Sequence, residues 1–247
     1  GPQGPRIREG LAANLGLADP GGTWHAERDR VLRLASWMTE TAASLGKIGE
    51  DLILLTQSGI SEVALGQGGG SSTMPQKSNP VLPSLLVAVA RHLIALNSAM
   101  QGAGLHRQQR DGAAWFTEWL SLPQICLGLG RALSVAGDLA QGIAPDADRM
   151  RAGIDDGLGL IYAEALSFAL SPALPRPEAQ AAVKELCKRA QAEAAPLSRL
   201  AADRWPDKGL DALFIPEAQL GTAPDEARAF ARRARALQAA GPSSALP

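Results

Sequence analysis

The longest regular pattern in the chain runs from residue 24 to residue 57, where apolar residues recur three and four positions apart. Over about thirty residues, this spacing lines apolar side chains along one side of an α-helix roughly 45 Å long. The repeat consists of Val31, Leu34, Met38, Thr41, Leu45, Ile48, Leu52 and Leu55. We therefore predict a bundle helix here, with Thr23 as its N-cap and the repeat packed in the core.

The rest of the chain is also predicted to be helical. Aromatic residues make up 4% of the sequence, and the strict alternation of apolar and polar residues that marks a half-buried strand is not sustained. Apolar spacing and the positions of Gly and Pro predict helices over residues 6–16, 81–100, 113–141, 145–170, 178–194 and 224–240. The fold class is therefore all-α, with a central long-helix bundle domain at 1–143 and a small C-terminal helical domain at 144–247.

Composition narrows the range of partners. A net charge of -1 and an apolar content of 46% predict a globular protein without the concentrated positive charge that nucleic-acid binding needs. Cys126 and Cys187 lack metal-ligand or redox spacing, so we expect reduced thiols and neither a metal nor a cofactor. With no apolar signal region at the N-terminus and no uninterrupted run approaching a membrane span, the expected location is the cytoplasm.

A glycine-rich stretch at residues 66–80 interrupts the helical pattern. Four glycines occupy five positions from Gly66 to Gly70, and a hydroxyl-rich segment follows with a cation and an amide. Such a segment is costly to order, so the pattern predicts a mobile loop that closes over an anionic ligand. An ordinary surface loop is the alternative, whereas the spacing of a phosphate-binding P-loop is absent.

The segment GSSTMPQKSNP at residues 70–80 resembles the signature loop of the fumarase/aspartase superfamily. Within that superfamily the chain is most similar to the bacterial 3-carboxy-cis,cis-muconate lactonizing enzymes, also called cycloisomerases, through further matches at residues 24–30, 44–51, 115–119 and 157–164. This resemblance implies a homotetramer of long-helix bundles with active sites shared between subunits. It also implies lactonization of 3-carboxy-cis,cis-muconate, a small polycarboxylate of the β-ketoadipate route of protocatechuate breakdown.

The resemblance also implies roles for individual residues. Ser71 matches the catalytic serine of the family, the general base in elimination and the proton donor in lactonization. The groups expected to bind substrate carboxylates are Ser72, Thr73, Lys77, Asn79 and Arg110. His25 is a further candidate for the pocket wall, although a histidine at a helix start is more often structural. We expect His92 to be a core residue and His106 a surface residue, and we leave Glu118 open between packing and the site.

Two departures from the family pattern leave alternatives open. Family members carry an N-terminal helical domain that nothing in residues 1–65 matches, so we expect the chain to begin within the central domain and to lack a complete active site by itself. Gln76 stands where lactonizing enzymes commonly have histidine, and glutamine is found there in argininosuccinate lyases. The alternatives are a fumarate-releasing lyase of the adenylosuccinate or argininosuccinate type, or a non-catalytic helical scaffold like the lens crystallins. Trp24 argues against an adenylosuccinate lyase, where a glutamine is expected.

Overall fold

The computed structural model describes residues 1–66, 69–70, 78–155 and 157–240. The chain divides into two compact units, Gly1–Ala147 and Asp148–Pro247. In the described part of the first unit the helices are α1 (Gly4–Leu15), α2 (Asp29–Leu55), α3 (Val81–Gly102) and α4 (Gly112–Gly142). The strands are β1 (Val63–Leu65), β2 (Gly69–Gly70), β3 (Ser78–Asn79) and β4 (Ile143–Pro145). The bounds of α3 and α4 agree with the predicted ones to within two residues.

Small residues on α2 allow α3 to pack unusually close to it. A Cβ atom added to Gly46 would lie 2.7 Å from the Cβ of Ala90, and one added to Gly49 would lie 2.6 Å from the carbonyl oxygen of Pro83. Contacts this short exclude any larger residue without movement of the backbone. The backbones of the two helices therefore approach closely where Gly46 and Gly49 face α3.

This close packing overturns the predicted core stripe of α2. Of the eight residues in the repeat only Met38 and Leu52 are buried, whereas Leu34 and Ile48 are 49% and 46% exposed. The buried side of α2 consists of Ala35, Met38, Thr39, Ala42, Gly46, Gly49 and Leu52. Because a close interface selects small side chains, the buried face lies about one residue further along the helix than the large apolar residues indicate.

Helix α3 packs against both α2 and α4. Its buried residues are Pro83, Leu86, Val87, Ala90, Leu93 and Met100. By length and mean hydropathy (1.5) it is the one described helix that could cross a membrane. Leu93 and Met100 belong to a buried cluster with α2 and α4, so packing within the unit covers one side of α3. His92 is exposed on α3, which contradicts its predicted core position.

The start of α2 differs from the prediction. The helix begins at Asp29, not after Thr23, and no side chain caps its first turn. Residues 24–28 are held by one long-range and one local contact: the indole Nε1 of Trp115 donates to the carbonyl oxygen of His25 at 3.2 Å, and Arg28 donates to the carbonyl oxygen of Trp24 at 3.3 Å. These side chains satisfy backbone groups that a helical turn would otherwise satisfy.

Two short strand pairs, which the sequence pattern did not predict, frame the glycine-rich loop. β1 pairs antiparallel with β4, and the amide of Gly66 donates to the carbonyl oxygen of Gly142 at 2.9 Å. β2 pairs antiparallel with β3, with Gly69 opposite Asn79 and Gly70 opposite Ser78. The first pair fixes the entry of the loop to the C-terminal end of α4, and the second brings the two arms of the loop together.

The second unit is a smaller helical assembly. Its described helices are α5 (Ala147–Asp155), which starts at the last residue of the first unit, α6 (Ala163–Leu170), α7 (Arg176–Glu193), α8 (Leu197–Arg204) and α9 (Ala223–Ala240). Short 3-10 segments occur at Leu160–Tyr162, Pro206–Lys208, Asp211–Phe214 and Pro216–Gln219. The continuous helix predicted over 145–170 is wrong, because Leu158 and Gly159 adopt positive φ values of 54° and 72°.

Candidate active site

The predicted site is only partly within the described residues. Ser71, Ser72, Thr73 and Lys77 lie outside them, so their predicted roles stay predictions. Asn79 is exposed in β3, two residues before α3 begins.

The two ends of α4 separate the predicted site residues of one chain. Gly66 is bonded to Gly142 at the C-terminal end of α4, whereas Arg110 lies two residues before its N-terminal end. The helix has 31 residues, a length of roughly 45 Å at a rise of about 1.5 Å per residue. The base of the loop at Gly66 and Arg110 therefore lie at opposite ends of α4.

The turn before α4 is organised by the carboxylate of Asp111. Its oxygens accept bonds from the backbone amide of Arg107 at 3.0 Å, from the guanidinium of Arg107 at 2.7 and 3.1 Å, and from the amide of Ala113 at 3.0 Å. The bonds from the Arg107 side chain, with those from the two amides, hold the pKa of Asp111 well below its ordinary value. Asp111 therefore caps α4 and closes the turn that contains Arg110.

Arg110 and His106 occupy contrasting environments in this connection. Arg110 is exposed and, among the described residues, makes no hydrogen bond or ion pair, so its guanidinium is available to a carboxylate. His106 is half-buried rather than a surface residue: among the described residues, neither of its buried ring nitrogens has a hydrogen-bond partner. Its ring lies edge-on to Trp115 at 6.4 Å. A buried imidazole without partners costs stability, of the order of 1–3 kcal/mol.

A buried ion pair and three tryptophans line a small cavity of about 180 Å³ near the start of α2. The guanidinium of Arg28 donates to the two carboxylate oxygens of Glu118 at 2.8 and 2.5 Å, and the two side chains are 9% and 8% exposed. The rings around the pair are those of Trp24, Trp115 and Trp119. Because each charge is fully engaged by the other, this geometry assigns Glu118 to packing rather than to substrate chemistry.

His25 is exposed at the edge of this cavity, with its ring stacked on Trp24 at 6.1 Å. The structure places it against α4, near the end that also bears Arg110. Among the described residues, no hydrogen bond or ion pair joins His25, Arg110 and Asn79. His25 and Arg110 thus share one end of the first unit, whereas Asn79 belongs with the loop arms.

A larger cavity, of about 450 Å³, lies at the base of the loop. It is lined by residues that flank the loop, Leu65, Gly66 and Leu82, and by the end of α4 from Asp138 to Gly142. None of the predicted site residues that the structure describes lies in its wall. In the described ranges, no group of three or more His, Cys, Asp or Glu side chains could hold a metal ion.

Sequence reasoning missed the two ion pairs that shape this end of the molecule. Asp111 could have been found from its position before Gly112 and an apolar helical run, which is a typical N-cap signal. Its pairing with Arg107 also has the spacing of four residues common in local ion pairs. The pair between Arg28 and Glu118 had no such local signal, because 90 positions separate the partners.

Comparisons with known proteins agree with this architecture. The family model described as Lyase matches residues 5–94. The 3-carboxy-cis,cis-muconate cycloisomerase of Pseudomonas aeruginosa is 38% identical over 246 residues, which covers 96% of this chain and 52% of that protein. The crystal structure of the 3-carboxy-cis,cis-muconate lactonizing enzyme from Pseudomonas putida matches with a TM-score of 0.81 and 35% identity, over 95% of this chain and 54% of that one. Over most of its length the chain is therefore similar to cycloisomerases and lyases of the fumarase/aspartase type.

These similarities confirm the resemblance predicted from the sequence, and the helices of the described residues confirm the all-α fold class. The structure of a fumarate lyase from Mesorhizobium sp. BNC1 also matches, with a TM-score of 0.79 and 30% identity over 90% of this chain and 51% of that chain. The chain spans about half the length of the relatives it matches.

Proposed function

We propose that the protein is a 3-carboxy-cis,cis-muconate cycloisomerase. The observation that carries the proposal is that a protein named for this activity is similar to 96% of the chain at 38% identity, across both units. The proposed reaction adds one carboxylate of the substrate across the substrate's own double bond and gives a carboxylated muconolactone. We place it in the cytoplasm, in the breakdown of protocatechuate, and we propose no cofactor.

The proposed mechanism follows from the charge that develops in this reaction. Attack by the carboxylate oxygen leaves a carbanion, which the neighbouring carboxylate of the substrate delocalises. The enzyme must stabilise that added charge and deliver one proton to carbon. We assign the proton to Ser71 and the carboxylate contacts to Ser72, Thr73, Lys77, Asn79 and Arg110, with His25 at the pocket wall. Closure of the loop would exclude water and strengthen these contacts.

The separation along α4 supports active sites shared between subunits. The base of the loop at Gly66 and Arg110 lie at opposite ends of α4, a helix roughly 45 Å long. If Ser71 of the loop and Arg110 act on one small substrate, this separation favours groups supplied by different copies. Apolar side chains on α2 also favour association: Leu34, Trp37 and Ile48 fall on one side of the helix and are 49%, 60% and 46% exposed. We propose a homotetramer whose subunits pair through the central units, with 1–143 as the bundle domain and 144–247 as the C-terminal domain.

A fumarate-releasing lyase is the second candidate. Gln76 and the similarity to the Mesorhizobium fumarate lyase favour it. One turnover assay on the full-length protein separates the two. Ultraviolet loss of the conjugated muconate without fumarate supports the cycloisomerase. Fumarate release from succinyl-type substrates, with no change in the muconate, would replace our proposal with the lyase. Turnover of neither would favour the non-catalytic scaffold.

Two variants test the assigned roles and the sharing of sites. Ser71→Ala should lower the rate of lactonization by about a hundredfold or more, with helix content and assembly unchanged. Arg110→Gln should mainly raise KM. If the two residues act from different subunits, unfolding and reassembling a 1:1 mixture of these variants restores both intact groups to about a quarter of the sites. Full activity of Ser71→Ala would remove Ser71 from the mechanism, and no recovery in the mixture would contradict shared sites.

A further inference from the structure

The connection between α3 and α4 contains one arginine that is hydrogen-bonded and one that is not. The guanidinium of Arg107 donates two hydrogen bonds to Asp111, at 2.7 and 3.1 Å. The guanidinium of Arg110, three residues later, makes no hydrogen bond or ion pair among the described residues. A carboxylate ligand that reaches this turn therefore meets one free guanidinium and one that is already neutralised.

Asp111 joins three points of the turn. Its carboxylate binds the side chain and the backbone amide of Arg107 on one side and the amide of Ala113 in α4 on the other. The Asp111 side chain is 4% exposed, so water competes little for these bonds. Four hydrogen bonds to one carboxylate fix both ends of the segment that carries Arg110.

The backbone of this segment requires such a constraint. Gln108 has a φ of 58°, in the left-handed region that is unfavourable for a residue with a side chain. Conformations of this kind persist only where surrounding contacts determine the backbone. The bonds from Arg107 to Asp111 span Gln108 and supply those contacts.

We propose that Asp111 is a positioning residue for substrate binding, which acts through Arg110. It holds the turn in the one geometry that directs Arg110 at a substrate carboxylate, and it occupies Arg107 so that this second guanidinium does not compete for the same anion. The proposal rests on the proposed function, since it assumes that Arg110 binds a carboxylate of the substrate.

The test compares steady-state kinetics of variants of the full-length protein. Asp111→Asn keeps the size of the side chain and an oxygen that can cap α4, but it loses the charge that binds Arg107. Arg107→Lys keeps the charge but loses the planar fork that makes two bonds. We expect each to raise KM about five- to tenfold with kcat changed less than about threefold, and Arg110→Gln to raise KM about ten- to a hundredfold. Asp225→Asn is the matched control, because Asp225 also lies in a first helical turn and pairs with an arginine, Arg228, at 2.6 Å.

A double variant separates positioning from general stabilisation. If Asp111 acts through Arg110, Asp111→Asn should raise KM no further in a chain that already carries Arg110→Gln. An equal rise in KM with and without Arg110, or an unchanged KM in Asp111→Asn beside an active wild type, would overturn the inference. Absence of muconate turnover by the wild type refutes the proposed function instead. In that case the affinity of the same variants for fumarate is measured by calorimetry. We expect Asp111→Asn to weaken binding only in a chain that retains Arg110, and unchanged affinity in Asp111→Asn would overturn the inference.

Discussion

Removing Glu118 should destabilise the protein far more than removing any surface carboxylate. Glu118→Ala leaves the guanidinium of Arg28 in a place where its side chain is only 9% exposed, without the two bonds at 2.8 and 2.5 Å. Breaking one side of a buried ion pair typically costs about 3–5 kcal/mol, because the remaining charge is neither hydrated nor paired. The bond from Arg28 to the carbonyl oxygen of Trp24 compensates only in part.

The expected loss can be measured against an exposed pair in the same unit. Arg91 and Glu50 lie 2.8 Å apart, but their side chains are 73% and 46% exposed. Exposed pairs contribute about 0–1 kcal/mol, so Glu50→Ala should have a small effect. Urea unfolding followed by circular dichroism, at one fixed protein concentration, gives both values on the same scale.

A double variant distinguishes the effect of the unpaired Arg28 charge from that of lost packing around Glu118. Replacing both partners, as in Arg28→Met with Glu118→Leu, removes the two charges together and fills a similar volume. The double variant should therefore be more stable than either single change, by about 2 kcal/mol or more. If Glu118→Ala costs no more than Glu50→Ala, or if the single changes simply add, the pair is not the buried constraint described above.

Two further predictions concern backbone approach and pH. Gly49→Ala should lower the free energy of unfolding by about 1–3 kcal/mol, because its Cβ would lie 2.6 Å from a backbone oxygen of α3. Gly137→Ala in α4 is the control: its Cβ meets nothing within 4 Å, so the change should be neutral or slightly stabilising. Thermal unfolding of the two variants compares them. The second prediction concerns Asp111, whose pKa is lowered in the folded state. At pH values above the ordinary Asp pKa of about 3.9, its carboxylate makes its full contribution to the stability of the fold. The stability difference between wild type and Asp111→Asn should therefore be constant above about pH 5 and shrink as the pH falls below about 4; a difference that grows on acidification would contradict this sign.

The helices could be predicted from sequence because their signals are local. The signals for α3, for α4 and for the end of the predicted helix over 6–16 depend on residues within a few positions of each other, and each was confirmed to within two residues. The buried face of α2 could not be predicted in the same way. Large apolar residues such as Leu34 indicate a helix face that is favourable to bury, but they do not specify whether another helix of the same chain or another copy covers it. In the first unit the close contact with α3 falls on Gly46 and Gly49 instead.

Contacts over long sequence distances account for the remaining errors. A local pattern extends α2 back to Thr23, but the bond from Trp115 to the carbonyl oxygen of His25 replaces that turn, and Glu118 holds Arg28 in position from 90 residues away. The break between α5 and α6 has a comparable origin, since the carbonyl oxygen of Leu158 accepts a bond from the amide of Leu197 at 2.8 Å.

A motif identifies which residues carry chemistry but gives no distance between them. The signature loop and Arg110 both resemble parts of one active site, so a reader of the sequence places them together. The structure attaches the loop to the C-terminal end of α4 through Gly66 and Gly142, and it fixes Arg110 at the other end through Asp111. A helix of 31 residues, roughly 45 Å long, is longer than any small polycarboxylate. If the loop and Arg110 act on one substrate, this length favours the proposed arrangement, in which the loop of one copy meets the α4 N-terminus of another.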